Sequence, residues 1–274
     1  MSSHAPTEAE SLVTVPHSVS VAQERKEPME PQPQPVPVQP MPESPTNRLG
    51  QVVRMFYEPS AVFRELAHRP SWVWPVVILV VFSLASQLVI APRIDMEGTI
   101  REQMAKSGRP VTEEQLEQAV AVGGKFAKLT MYTTPLMIPI MFLILAGLYT
   151  LGLRLVGGDT AFGKVFSGIS HALLPPSLVS GALMLVVALQ RDSLLASEFP
   201  HLVKSSVASW LGPDAHRVLV AAGSVLDVFN LWQWVLVVLA LQIIGKVKRG
   251  QAIGIVVVLW GLYTLGKVGL ALLF

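Results

Sequence analysis

The sequence predicts an all-α membrane protein, a five-helix transmembrane bundle with interfacial amphipathic helices and a disordered N-terminal tail. Of the 274 residues, 51% are hydrophobic and 15% are charged. That is too little charge to cover the surface of a soluble domain of this size. The apolar residues are concentrated in five long runs with almost no charge, each long enough to cross a hydrocarbon core of roughly 30 Å. The mean hydropathy of +0.50 agrees with this class.

Residues 1–47 form the predicted disordered tail. Eight prolines lie between Pro28 and Pro45, and such a composition favours extended polyproline II and cannot bury a core. The tail is either a ligand for a proline-binding groove or a solvated spacer. We favour the spacer, because PxxP matches are frequent in any proline-rich tract. Residues 48–274 form the predicted five-span membrane domain.

A short amphipathic helix is predicted in the segment FYEPSAVFRELAHRPSWVWP, residues 56–75. Pro59 suits the first helical position, and Pro70 ends the helix because it lacks an N–H donor. The apolar side chains share one face: Val62, Phe63 and Leu66. We expect this helix to lie flat at the membrane surface, with Trp72 and Trp74 as headgroup anchors before the first span.

The predicted spans cover about residues 72–91, 130–153, 166–190, 228–245 and 252–273. An odd number of spans puts the two termini on opposite sides of the membrane. The short connections carry Arg154, Lys164, Lys246, Lys248 and Arg249 close to the spans. This density favours a cytoplasmic N-terminus.

The two longer loops are expected on the outside. Thr112 and Gln115 form a predicted capping box that starts a loop helix, and Gly123-Gly124 is expected to stop it. The second loop, residues 191–227, is patchily apolar and is expected to rest on the membrane as short helices.

The connection RLVGGDTAFGKVF, residues 154–166, is the sharpest local signal. Gly157 and Gly158 can close the second span, and Asp159 or Thr160 then caps a helix that carries Phe162 on its apolar face. A phosphate cradle is one interpretation. A tight turn between spans is favoured, because no strand precedes the glycines and Asp159 would repel a phosphate.

His171, Pro175 and Pro176 lie in the third span. Two consecutive prolines remove two backbone donors and are expected to break the helix. Broken helices mark substrate sites in some transporters, but a packed kink is the more common explanation. His171 has no carboxylate partner in the local sequence, so we interpret it as a satisfied residue near the end of the span.

The fourth span opens with DVFNLWQWVL. Asp227 favours the positive N-terminal end of this helix, and Trp232 contributes to an aromatic belt. Lys267 is the one charge inside an apolar run, and we expect it to snorkel to the interface or to pair with the terminal carboxylate. The glycines of the last span allow close helix approach within the chain or between chains.

Several kinds of chemistry have no support in the sequence. Cysteine is absent, which removes disulfides and thiolate chemistry. There is no HExxH motif, no cluster of carboxylates and no serine beside a plausible base. The formal net charge of +2 gives no argument for nucleic acid. We therefore expect no catalytic site, no metal and no cofactor.

Three stretches together resemble the Yip family of multi-span membrane proteins, named for Ypt/Rab interaction. They are FYEPSAVFRELAHRPSWVWP before the first span, GGDTAFGKVFSGISHALLP between the second and third, and DVFNLWQWVL opening the fourth. The resemblance covers roughly residues 50–273. It implies a five-span domain without recognised catalytic residues. Eukaryotic members associate with Rab-type GTPases and with each other in the ER and Golgi, whereas the activity of bacterial members is largely unassigned.

The leading hypothesis is a non-enzymatic integral membrane adaptor or organiser in a bacterial inner membrane, with the ER or Golgi membrane as the alternative. Its expected partners are the lipid bilayer and membrane or peripheral proteins, including a second copy of the chain. A transporter or channel component with a proline-broken third span is the rival hypothesis. An intramembrane enzyme is the third.

Overall fold

The computed structural model describes residues 47–106, 112–212 and 215–273. The predicted tail therefore lies outside the described residues, except for Asn47. The described residues form ten α-helices with short 3₁₀ turns and two isolated β-bridges. The helices are α1 (Arg48–Arg54), α2 (Pro59–His68), α3 (Val73–Ile90), α4 (Met96–Lys106), α5 (Glu113–Leu155), α6 (Phe162–Leu189), α7 (Phe199–Leu202), α8 (Arg217–Gly223), α9 (Val228–Gly245) and α10 (Arg249–Leu273).

Five helical segments are long and apolar enough to cross a membrane: Val73–Arg93, Leu136–Leu155, Phe162–Leu189, Val228–Gly245 and Arg249–Leu273. The predicted fold class is confirmed, and the chain is an integral multi-pass membrane protein.

We call the end of the bundle that carries the α5–α6 and α9–α10 turns the N-proximal end. The other end, which carries the α6–α9 connection, is the distal end. α6 is central because it packs against α3, α5 and α9.

The first two helices fold against the bundle, α1 on α3 and α2 along α9 and α6. α2 begins at Pro59 and ends before Pro70, as predicted. Its apolar side chains are fully buried against α9 and α6 rather than facing lipid. The ring of Phe56, at the α1–α2 corner, meets the ring of Trp232 on α9 edge-on, with 6.3 Å between centroids.

The polar side chains of α1 and α2 meet at Glu65. Arg54 Nη1 donates to Glu65 Oε1 at 2.6 Å, and Gln51 Nε2 donates to Glu65 Oε2 at 3.0 Å. Burial raises the pKa of Glu65, but the hydrogen bonds from Gln51 and Arg54 and the charge of Arg54 outweigh it, so this pKa lies below its ordinary value. The two helices are therefore joined by a charge-assisted network.

The expected stop at Gly123-Gly124 is wrong, because α5 continues through both glycines over 43 residues. The capping box at its start is confirmed, with Thr112 Oγ1 accepting from Gln115 N at 3.3 Å. A Cβ at Gly123 would lie 2.9 Å from Ile100 Cδ1 of α4. Gly123 therefore allows α4 to pack closely on α5. The same glycine, considered only with its neighbours in sequence, suggested the end of a helix.

The expected break at Pro175 and Pro176 is also wrong. α6 is one helix from Phe162 to Leu189, and both prolines are buried within it. Because proline has no N–H, the carbonyls of His171 and Ala172 lose their helical donors without ending the helix. The second loop does contain short helical segments, including α7 and α8, as predicted.

Candidate functional site

A polar cavity of about 390 Å³ lies at the distal end between α6, α9 and the segment that connects them. α6 contributes Pro176, Ser177 and Ser180, and α9 contributes Asn230 and Gln233. Ser205, Ser206, Ser224 and Asp227 line it from the connecting segment. The cavity thus brings Pro176 and Asp227, two of the predicted site residues, to one place.

Asp227 organises the wall of this cavity. Its Oδ1 accepts from the backbone N–H groups of Phe229 at 2.8 Å and Asn230 at 3.3 Å, which caps α9. Its Oδ2 accepts from the hydroxyl of Ser205. Backbone bonds then join residue 205 to residue 228, with Val228 N donating to Ser205 O at 3.1 Å. Both carboxylate oxygens of Asp227 are therefore committed to holding the connecting segment on α9.

Lys267 reaches the same region from α10. Its Nζ donates to Ser224 Oγ at 2.6 Å, and Ser224 lines the cavity. We expected Lys267 to snorkel to the interface or to pair with the terminal carboxylate, which lies outside the described residues, and this bond to Ser224 was not predicted. A charged donor on an apolar helix thus ties α10 to the segment after α8, a contact for which the local sequence gives no signal.

Four of the predicted residues lie instead at the N-proximal end. Gly157 adopts a left-handed φ of 83°, and Gly158 N donates to Leu153 O at 2.8 Å, which closes α5. Asp159 does not cap α6, and neither does Thr160, because the N-cap is Ala161 and no side chain bonds there. Phe162 stacks on Phe166 with 6.0 Å between ring centroids. The segment is a tight turn with an uncapped helix start.

Comparison with known protein families decides the assignment. The family model of the Yip1 domain matches residues 53–270, which includes α2, the first four spans, most of the fifth and the residues that line the polar cavity. The chain belongs to the Yip1 domain family. No curated protein and no solved structure matches the chain. The resemblance drawn from the three sequence stretches is thereby confirmed.

In this Yip1 domain His171 and Pro175 are core residues. His171 lies more than two turns into α6 and is 1% exposed, so it is not near the end of the span. Its Nδ1 donates to the carbonyl of Ser167 at 2.9 Å. Pro175 follows one turn later in the same buried stretch. Both residues face the packed interior rather than the polar cavity.

Trp232 of the Yip1 domain contacts the α1–α2 corner through Phe56 and does not line the polar cavity. Gln233, the next residue, does line it, and among the described residues its amide has no hydrogen-bond partner. The cavity therefore offers serine hydroxyls and one free amide to a polar guest. Within residues 47–106, 112–212 and 215–273, no group of three or more His, Asp or Glu side chains is placed to hold a metal ion.

Proposed function

We propose that this Yip1 domain is a non-enzymatic adaptor that organises membrane assemblies by binding other membrane proteins, including a second copy of itself. Membership of the Yip1 family supports the proposal, because eukaryotic members associate with Rab-type GTPases and with each other. We further propose a bacterial inner membrane with a cytoplasmic N-terminus, since the short N-proximal turns are basic. The ER or Golgi membrane is the alternative.

The observation that carries the proposal is an open glycine face on α10. Gly250, Gly254 and Gly261 fall on one side of this helix, and among the described residues no atom from elsewhere in the fold lies within 4 Å of where their Cβ atoms would be. Between them Val257 and Val258 are 52% and 60% exposed. Glycines at helical spacing let two backbones approach closely in a membrane, where van der Waals contact drives association.

Other glycines of the spans are used differently. A Cβ at Gly152 of α5 would lie 2.7 Å from Ile255 Cγ2, and one at Gly181 of α6 would lie 2.6 Å from Phe82 Cε1. These glycines serve packing within the chain. The opposite side of α10 is where its own buried residues lie, Ala252, Ile255 and Val256. The open face is therefore free for a helix of another molecule, and a second copy of α10 presents the matching surface.

Cysteine crosslinking tests the proposal, and because the chain has no native cysteine, an introduced one is the only thiol in this protein. We expect Gly254→Cys to form a disulfide dimer in native membranes under mild oxidation. Gly266→Cys is the matched control, because Gly266 also has open space but lies on the other side of α10. Equal crosslinking of both variants, or none with Gly254→Cys, would contradict self-association through this face.

A second candidate function is a pathway for a polar solute or ion. The polar cavity between α6 and α9 favours it, because serines, Gln233 and Asp227 line about 390 Å³ beside a membrane span. Polar groups at such a depth are expensive and often functional.

Solute flux in proteoliposomes separates the two candidates. A pathway through the cavity predicts flux that falls when Gln233→Leu and Ser180→Val line it with apolar groups, and Pro175→Ala with Pro176→Ala should alter it. Gln242→Leu, on the same helix but outside the cavity lining, is the control. No flux across a broad panel of solutes leaves the adaptor as the better account.

A further inference from the structure

A second cavity of about 400 Å³ lies at the N-proximal end, between α2, the α5–α6 turn and the α9–α10 turn. Its charged lining consists of Arg64, His68, Asp159, Lys164 and Lys246. Three fixed positive charges from three separate elements therefore surround one negative charge. Arg64 and Lys246 are 182 positions apart in sequence, so the fold creates this positive cavity.

Asp159 is the one anion of the lining, and no ion pair within the described residues joins it to these three cations. In the part of the chain that the structure describes, no hydrogen bond or ion pair engages the side chains of Arg64, Lys164 and Lys246. Convergent like charges repel each other, and the repulsion is relieved when an anion lies between them. The neighbouring Arg54 is in contrast fully engaged by Glu58 and Glu65.

The start of α6 adds to the positive potential of the cavity. Ala161, which lines the cavity, is the N-cap of this 28-residue helix and offers no side-chain acceptor. The first N–H groups of α6 are thus left without a capping oxygen, and the helix dipole places partial positive charge at this end. An anion in the cavity would supply the missing acceptor.

The backbone of Lys246 gives independent support. Lys246 has φ 52° and ψ 35°, and it is the only described residue other than glycine with a positive φ. Glycine or asparagine suits this left-handed position better than lysine. Residues kept in sparsely populated conformations cluster at functional sites. Lys246 lines the cavity from this corner.

Besides Thr160 and Ala161, the remaining wall is apolar and comes from Ala67, Ile243 and Ile244. We infer that the cavity binds the phosphate of an anionic phospholipid headgroup, with the three cations around the phosphate and the glycerol end against the isoleucines. Basic pockets between membrane helices are typical sites for anionic headgroups. Inorganic phosphate has no apolar part that could contact this wall, whereas a phospholipid has one. The lipid is therefore the favoured source of the anion.

Equilibrium titration of the purified full-length protein in detergent tests this inference. The probe is short-chain phosphatidylglycerol, and phosphatidylcholine of equal chain length is the headgroup control. We expect Lys164→Gln and Lys246→Gln each to weaken phosphatidylglycerol binding about fivefold. Lys248→Gln, on the same turn but outside the cavity, should bind as the wild type does. Thermal melting of each variant reports whether it is folded.

A variant of opposite sign makes the test sharper. Asp159→Asn removes the one negative charge of the lining and should strengthen phosphatidylglycerol binding about fivefold. The inference is overturned if the lysine variants bind like the wild type, or if phosphatidylcholine binds equally well. It is also overturned if inorganic phosphate displaces the lipid at similar concentrations, because the site would then belong to a soluble anion.

Discussion

The hydroxyl of Ser167 on α6 satisfies both backbone groups of Ser71, 96 residues earlier in the chain. Ser71 N donates to Ser167 Oγ at 2.8 Å, and Ser167 Oγ donates to Ser71 O at 2.7 Å. Ser71 follows Pro70 at the corner between α2 and α3, where no helix provides partners for its backbone. Both residues are buried. One side chain thus fixes the corner at which the N-terminal helices enter the bundle.

Ser167→Ala should therefore destabilise the protein by about 2–4 kcal/mol, since it leaves a buried N–H and a buried carbonyl without partners. Ser170→Ala is the matched control. Ser170 is equally buried on the same helix, but its hydroxyl bonds only to the carbonyl of Phe166 one turn back. Thermal melting in detergent should lower the Tm strongly for the first variant and hardly for the second. Similar melting of both would contradict the corner role of Ser167.

The bond between Lys267 and Ser224 should be measurable as a coupling energy. A double-mutant cycle with Lys267→Met and Ser224→Ala is expected to give about 1 kcal/mol of favourable coupling, because polar contacts between membrane helices contribute at this level. Thr264→Val replaces Lys267→Met in the control cycle. The hydroxyl of Thr264 bonds to Trp260 O in its own helix, so its effect should add to that of Ser224→Ala. Additive effects in both cycles would show that Lys267 does not hold Ser224.

Gly158→Ala and Gly163→Ala should change stability in opposite directions. A Cβ at Gly158 would lie 3.1 Å from Leu153 O and 3.2 Å from Gly245 O, so the α5–α6 turn must move away from α9. We expect a loss of about 1–3 kcal/mol. Gly163 has no atom within 4 Å of its Cβ position and lies inside α6. Alanine there should stabilise the protein by about 0.5 kcal/mol. Equal changes in Tm would show that the turn has room.

The sequence was sufficient to predict those structural features that depend on local chemistry or on composition. Lipid-length apolar runs predicted the five spans, and single side chains predicted the starts of α2, α5 and α9 at Pro59, Thr112 and Asp227. Each helix start depends on residues within one turn of each other, and each span depends on the composition of one continuous run. The fold class and the helix starts could therefore be predicted from the sequence alone.

The failures came from contacts between distant segments. Gly123 was predicted to end a helix, but it lies inside α5 where Ile100 of α4 packs on it. Pro175 was predicted to break α6, but it is buried within one continuous helix. The partners of Ser71 and Lys267 lie 96 and 43 residues away, and no periodicity connects them. Both cavities depend on the same long-range packing, which explains why only Pro176 and Asp227 of the polar cavity were among the predicted residues.

The Glu65 network predicts a loss of stability in acid. Because the pKa of Glu65 lies below its ordinary value, its contribution is complete above pH 4.5 and is lost as the pH falls through its folded pKa. The side chains of Arg54 and Glu65 are 32% and 38% exposed, so we expect no more than about 1 kcal/mol. The Tm of the wild type should fall between about pH 5 and pH 2 by more than that of Glu65→Gln. Glu58→Gln removes only a 3.3 Å contact and should keep the wild-type pH dependence.

Lys246→Gly should stabilise the protein and at the same time weaken anionic lipid binding. The left-handed backbone of Lys246 costs roughly 1 kcal/mol for any residue with a Cβ, and glycine removes that cost. The ammonium group of Lys246, which lines the N-proximal cavity, is lost in the same change. We therefore expect a higher Tm in lipid-free detergent together with an affinity for phosphatidylglycerol lower by about fivefold.

Lys248→Gly separates the two effects. Lys248 lies two residues further along the same turn, has no positive φ, and does not line the cavity. Glycine there should lower the Tm slightly through added freedom of the unfolded chain and leave lipid binding unchanged. If Lys246→Gly is no more stable than Lys248→Gly, the turn carries no strain at Lys246. If Lys246→Gly is more stable than Lys248→Gly and still binds phosphatidylglycerol as tightly as the wild type, Lys246 does not contribute to headgroup binding.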